Sequence, residues 1–147
     1  CMEVTSFVTP HDSHGSVGYV IRMPGHGVGI ATDLGYLPDG ILGLLCTCDA
    51  VVLESNYDED MLRTGRYPYS LKQRILSDYG HLSNRACAEG VRALCGAGVQ
   101  NLLLSHLSEE NNTPTLAFRA SSEAAEAVAG NRVRLAVADR IAPTRLV

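Results

Sequence analysis

Apolar positions come along this chain in short bursts, and nearly every burst ends on polar residues. Residues 2–8, MEVTSFV, and 17–22, VGYVIR, are rich in β-branched and aromatic side chains and bracket the turn-forming TPHDSHGS. That pattern predicts two strands joined by a polar loop. GHGVGIATDLG predicts a tight glycine turn and a short strand ending on Thr32 and Asp33, and DAVVLESN a buried strand ending on Glu54, Ser55 and Asn56. Between them, LPDGILGLLCTC carries apolar residues at helical spacing behind a proline and an aspartate. From Tyr57 to Gly80 two short helices are expected, YDEDMLRTG and YSLKQRILSDYG, each stopping at its glycine. HLSNRACAEGVRALCGAG predicts a helix opening near His81, with Ala86, Val91, Leu94 and Cys95 on one face. VQNLLLSH is a strand with His106 at its end, followed by a helix over 113–129 and an alternating strand, RVRLAVAD. No repeat, low-complexity tract or linker interrupts the series, so the alternation points to one α/β layered domain.

The recurring polar strand end matters because a strand holds a side chain rigidly while the loop after it leaves that side chain accessible. His11, Asp33 and His106 are all placed so. Two imidazoles and a carboxylate form a donor set that zinc, manganese or iron accepts. Taken singly, each has a plainer reading: a histidine satisfied within the structure or facing solvent, an aspartate capping its own turn.

Composition adds limits. With 147 residues, 46% of them hydrophobic, the chain fits a single core. It has no apolar run of about 18 residues and no secretory leader pattern, which makes a membrane partner unexpected and the cytoplasm the default location. Five cysteines make an odd count, and Cys46 and Cys48 are one residue apart, closer than zinc ribbons or redox pairs require. They read as small core residues in a reducing compartment. The chain opens on Cys1 inside a strand-like stretch, so a piece of a longer reading frame is expected.

Three blocks, HDSHGSVGYVIRMPGHGVGIATDLG, VVLESNYDEDMLRTGRYPYSLKQRILSDYGHLSN and LLLSHLSEENNTP, resemble the C-terminal half of metallo-β-lactamase-fold hydrolases. The likeness is strongest to the YycJ/WalJ subgroup of DNA exonucleases, and extends to phosphodiesterases related to tRNA 3′-processing ribonucleases. It implies an α/β fold, one half of an αββα metallo-β-lactamase sandwich, with residues 1–147 as a single partial domain. It also implies two divalent ions, zinc or manganese. His11 matches the histidine that helps hold the first ion, Asp33 the carboxylate bridging both, and His106 the final histidine on the second. His81 in GHLSN matches the histidine beside the scissile phosphate, suited to protonating the leaving oxygen. The family's HxHxDH string, source of the remaining ligands, does not occur here. With three of about seven ligands, the separate chain is expected to lack a closed dinuclear site and to hydrolyse nothing efficiently. In the complete protein the resemblance implies a hydroxide, generated near neutral pH, attacking phosphorus in line. DNA is the expected substrate, with RNA or a small phosphodiester as alternatives, and a non-catalytic α/β binding module as the alternative of another class.

Glu54, Asn56 and Asp58 in LESNYD are read either as hydrogen-bond partners of a ligand histidine or as local turn formers. Asn111 and Asn112 would brace the His106 loop or cap the following helix, with the cap favoured. His14 and His26 are read as surface groups. Net charge is −4, which argues against binding nucleic acid over the whole surface. Basic residues nonetheless cluster: Arg63, Arg66, Lys72, Arg74, Arg85 and Arg92 lie in one segment with Tyr67, Tyr69 and Tyr79 interleaved. Phosphate contact and base stacking by this segment stand beside the plainer reading of a solvated helical face.

Overall fold

The sheet stretches pair in the order in which they occur along the chain. In the computed structural model, which describes residues 1–146, β1 (Glu3–Val8), β2 (Val17–Met23), β3 (His26–Ala31), β4 (Ala50–Glu54), β5 (Asn101–Ser105) and β6 (Arg134–Val137) form one six-stranded sheet in that order. The first two pairings are antiparallel and the remaining three parallel. The β2–β3 turn is two residues long, and Gly25 takes the positive φ (80°) that it requires. Parallel neighbours need long crossovers. These carry α1 (Asp39–Leu45), then α2 (Glu59–Thr64), α3 (Tyr69–Ile75) and α4 (Asn84–Gly96), and finally α5 (Pro114–Ala129).

Register assigns the two faces. Val20, Gly29, Ala31, Val51, Leu53, Leu102 and Leu104 lie on one face, all buried. With Leu34, Ile41 and Leu45 and with Leu82, Cys87, Val91 and Leu94 they make the core. Gly29 lets α1 lie close to the sheet, since a Cβ there would stand 2.5 Å from Leu45 Cδ2. The opposite face carries Val4, Tyr19, Ile21, Val28, Ile30, Val52 and Leu103, none of them fully buried. Both faces of the parallel strands are therefore apolar, which is why these strands read as continuous rather than alternating runs. Cys48, Cys87 and Cys95 are buried and Cys1 is exposed, all as free thiols, and burial pushes the Cys87 thiol up to about 12. Among the described residues no helix is long and apolar enough to cross a membrane.

Two expected boundaries move. α3 ends at Ile75, not at Gly80. Gly80 instead sits against the end of that helix, where a Cβ would come within 2.1 Å of the Ile75 carbonyl oxygen. α4 opens at Asn84 behind Ser83, whose hydroxyl accepts from the Ala86 amide, so His81 precedes the helix and does not start it.

Candidate metal centre

Five polar side chains meet beyond the ends of β3, β4 and β5. Among the described residues, Asp33 and His106 are the two non-glycine residues with positive φ, 56° and 57°. Such backbone is uncommon outside glycine and clusters at functional sites. Asp33 Oδ1 lies 3.6 Å from His11 Nε2, 3.7 Å from His106 Nδ1 and 3.9 Å from His81 Nδ1. The ring centroids of His11 and His81 are 4.9 Å apart, and those of His81 and His106 are 5.3 Å apart.

Glu54, at the buried end of β4, is wholly enclosed. Its Oε1 accepts from His81 Nδ1 at 2.7 Å and from His106 Nδ1 at 2.9 Å, and its Oε2 from the Leu34 amide at 3.0 Å. Burial works against ionisation here. The hydrogen bonds from His106 and His81, the His81 charge and the Leu34 amide outweigh it and hold the carboxyl below its usual range. In return the hydrogen bond to Glu54 raises the His106 pKa against the opposing effect of burial, helped by the Glu54 and Asp33 charges. His11 Nδ1 donates to the Gly80 carbonyl at 2.9 Å. Each of the three rings thus has Nδ1 committed to an oxygen acceptor, which leaves Nε2 as the free lone pair, the arrangement that orients metal-ligating histidines.

Two donor groups result. His11, Asp33 and His81 present ligand atoms all within 4.8 Å of one another, and so do Glu54, His81 and His106. Borderline nitrogen and hard oxygen in such clusters fit zinc or manganese. His11 and His106 both stand within 3.7 Å of Asp33 Oδ1. His81, expected beside the metals and not on them, stands in both groups. It is held by Glu54 and by its own backbone N–H, which donates to the Ile75 carbonyl (3.1 Å), not by a helix N-terminus.

The asparagines behave differently from the favoured expectation. Thr113 caps α5, its hydroxyl accepting from the Leu116 amide at 3.2 Å. Asn112 is buried below the site, donating to the Ser55 and Asn56 carbonyls and exchanging hydrogen bonds with Asn84. Asn56 donates to the His106 carbonyl at 2.7 Å. Asn111 is buried with both side-chain polar atoms unpartnered, while its carbonyl accepts from the Asp58 amide. Asp58 caps α2 through the Asp60 and Met61 amides. Ser55 and Asn84, missed in the sequence, complete the brace. Both lie inside polar runs, residues 54–56 and 83–85, so nothing local singles them out.

A cleft of about 490 Å³ opens over the three histidines, lined also by Asp12, Tyr67, Leu71, Arg74, Glu109, Glu110 and Arg140. Of the expected basic contacts only Arg74 lines it, together with Tyr67 of the interleaved tyrosines. Arg74 grips Asp12 through Nε and Nη2 and holds that carboxyl below its usual range. Lys72 Nζ is spent on the Arg63 carbonyl (2.7 Å), Arg66 is not in the lining, and Arg85 pairs with Glu59 at 3.0 Å in a separate hollow among Asp58, Asp60 and Glu123.

The profile of the "Beta-lactamase superfamily domain" matches residues 1–107. The chain belongs to this superfamily. Within it, the chain is 38% identical over 125 residues to "Exodeoxyribonuclease YycJ" of Bacillus anthracis, covering 85% of this chain and 47% of that protein. It is 38% identical over 116 residues to "Exodeoxyribonuclease WalJ" of Streptococcus pneumoniae serotype 2, covering 79% and 43%. The chain therefore spans somewhat less than half the length of these relatives. The superfamily fold recurs in the metallo-β-lactamase fold protein YhfI of Bacillus subtilis, with TM-score 0.60 and 20% identity over 92% of this chain and 46% of that one. It recurs again in Zn(2+)-bound PqqB of Methylobacterium extorquens, with TM-score 0.55 and 19% identity over 93% and 44%.

Proposed function

We propose that this chain provides part of the active site of a metal-dependent phosphodiester hydrolase acting on DNA, an exonuclease as its named relatives are. The supporting observation is the ring of three imidazoles at 3.6–3.9 Å around Asp33 Oδ1, with each ring's Nδ1 engaged by an oxygen acceptor and its Nε2 left for a metal or a proton. His11, Asp33 and His106 would hold the divalent ions. The chemistry such ions supply when bound is neutralisation of the phosphodiester charge and a lowered pKa for water. Glu54 fixes the His81 and His106 rings from below, and the Asn56, Asn84 and Asn112 brace fixes the backbone that carries them. His81, with Nδ1 on Glu54, keeps Nε2 for a proton passed to the departing oxygen.

The test uses the polypeptide in which this chain occurs, loaded with zinc or manganese. Asp33→Ala is expected to lose metal and DNA hydrolysis together. His81→Ala is expected to keep metal while losing roughly 100- to 10,000-fold in rate, and to lose less on a nitrophenyl diester, whose leaving group needs no proton. Metal content by mass spectrometry beside turnover decides it. A His81→Ala protein stripped of metal makes His81 a ligand, and full activity in either variant removes the assignment.

A further inference from the structure

One basic residue in the cleft lies outside the basic segment of the sequence: Arg140. Its place follows from the sheet. β6 runs parallel to β5, and beyond their last pairing the Ala138 amide still donates to the Leu104 carbonyl at 2.7 Å. Residues just past β6 therefore emerge at the same sheet end as His106. Asp139 then folds the chain, its Oδ1 accepting from the Ile141 and Ala142 amides, both at 2.8 Å, while its amide donates to Thr144 Oγ1 at 2.7 Å. This turn fixes the backbone from which Arg140 reaches into the cleft.

The two arginines of the cleft are not equivalent. Arg74 is engaged twice by Asp12, through Nε and Nη2. Among the described residues Arg140 makes one ion pair, Nη2 to Glu109 Oε1 at 2.6 Å, and both partners are exposed, 54% and 70%. An exposed pair of this kind contributes little and exchanges readily, and the remaining N–H groups of the guanidinium match a phosphate. Asp12, Glu109 and Glu110 in the same lining repel a polyanion, so a cation free to exchange partners decides whether a second phosphate can enter.

We propose that Arg140 binds a phosphate next to the scissile one in a DNA strand, releasing Glu109 to solvent, and so makes the cleft prefer a strand over an isolated phosphodiester. This rests on the phosphodiesterase reading above. Arg140 is a specificity residue, and the measure is the ratio of kcat/KM on a fluorescent single-stranded oligodeoxynucleotide to that on bis(p-nitrophenyl) phosphate, in the metal-loaded polypeptide. Arg140→Ala is expected to lower the ratio roughly 10- to 100-fold, through KM on the oligonucleotide. The slope of log kcat/KM against log salt should flatten by about 0.7, the value of one single-strand phosphate contact. Arg140→Lys should recover part of the ratio, and Glu109→Gln should raise it. An unchanged ratio and salt slope in Arg140→Ala overturns the proposal, as does an equal loss on both substrates, which marks a structural role. Hydrolysis of neither substrate by the unaltered protein overturns the site reading, and this proposal with it.

Discussion

Glu54 shows how much one buried side chain can hold. Its two oxygens accept three hydrogen bonds, from two imidazoles and the Leu34 amide, with no solvent to replace any of them. A carboxamide has a single acceptor oxygen, and its NH2 would face another N–H. Glu54→Gln is therefore expected to destabilise the fold by about 1–3 kcal/mol, the penalty of leaving a buried donor unsatisfied, and Glu54→Ala by more. Urea unfolding measures this, and a midpoint equal to that of the unaltered protein would mean that the enclosed carboxylate is not supporting the two rings. In the sequence Glu54 is one polar residue at a strand end. Its partners at 81 and 106 are brought to it by the fold alone, which is why local patterning leaves its role undecided between turn and brace.

At the scale of elements, periodicity and strand ends carried most of the fold. Among the described residues the six strands and five α-helices fall within the stretches that the apolar bursts predict, apart from the end of α3 and the start of α4, because each strand or helix must bury an apolar face against the next layer. What local pattern could not supply was the use of Gly80. A glycine after a helix reads as its stop, yet the helix closes at Ile75 and the glycine is required for close approach: a Cβ at 80 would meet the Arg74 and Ile75 carbonyl oxygens at 2.4 and 2.1 Å. Those are backbone atoms and cannot swing aside. Gly80 also accepts from His11 through its carbonyl and directly precedes His81. Gly80→Ala is thus expected to destabilise by about 1–3 kcal/mol and to misplace two of the three imidazoles. Thermal unfolding together with zinc titration tests both parts, and unaltered zinc affinity would show that the 76–81 turn does not position the rings. The same limit applies to Asn112, where an asparagine ahead of a helix suggests a cap and only the long-range contacts to Ser55, Asn56 and Asn84 reveal the brace.

For the whole molecule, the question is how firmly residues 1–147 can hold ions by themselves. Among the described residues the donors clustered here are His11, Asp33, Glu54, His81 and His106, and one of them, Glu54, already has both oxygens engaged by the fold. Four-coordinate zinc needs a full set of deprotonated donors, and every missing one leaves the ion partly hydrated and poorly located. The cleft side is open, and the resemblance places further ligands in an HxHxDH string that this sequence does not contain. Zinc affinity of the purified chain is therefore expected to be weaker than about 1 μM, to fall further in Asp33→Ala, since Asp33 Oδ1 lies 3.6–3.9 Å from a nitrogen of each ring, and to come with no turnover of DNA. Competition against a chelator of known affinity, with a nuclease assay on the same sample, measures both. Tight binding of two ions, or DNA cleavage abolished by Asp33→Ala, would show that these five side chains suffice for a working centre and that the missing string is not needed for catalysis.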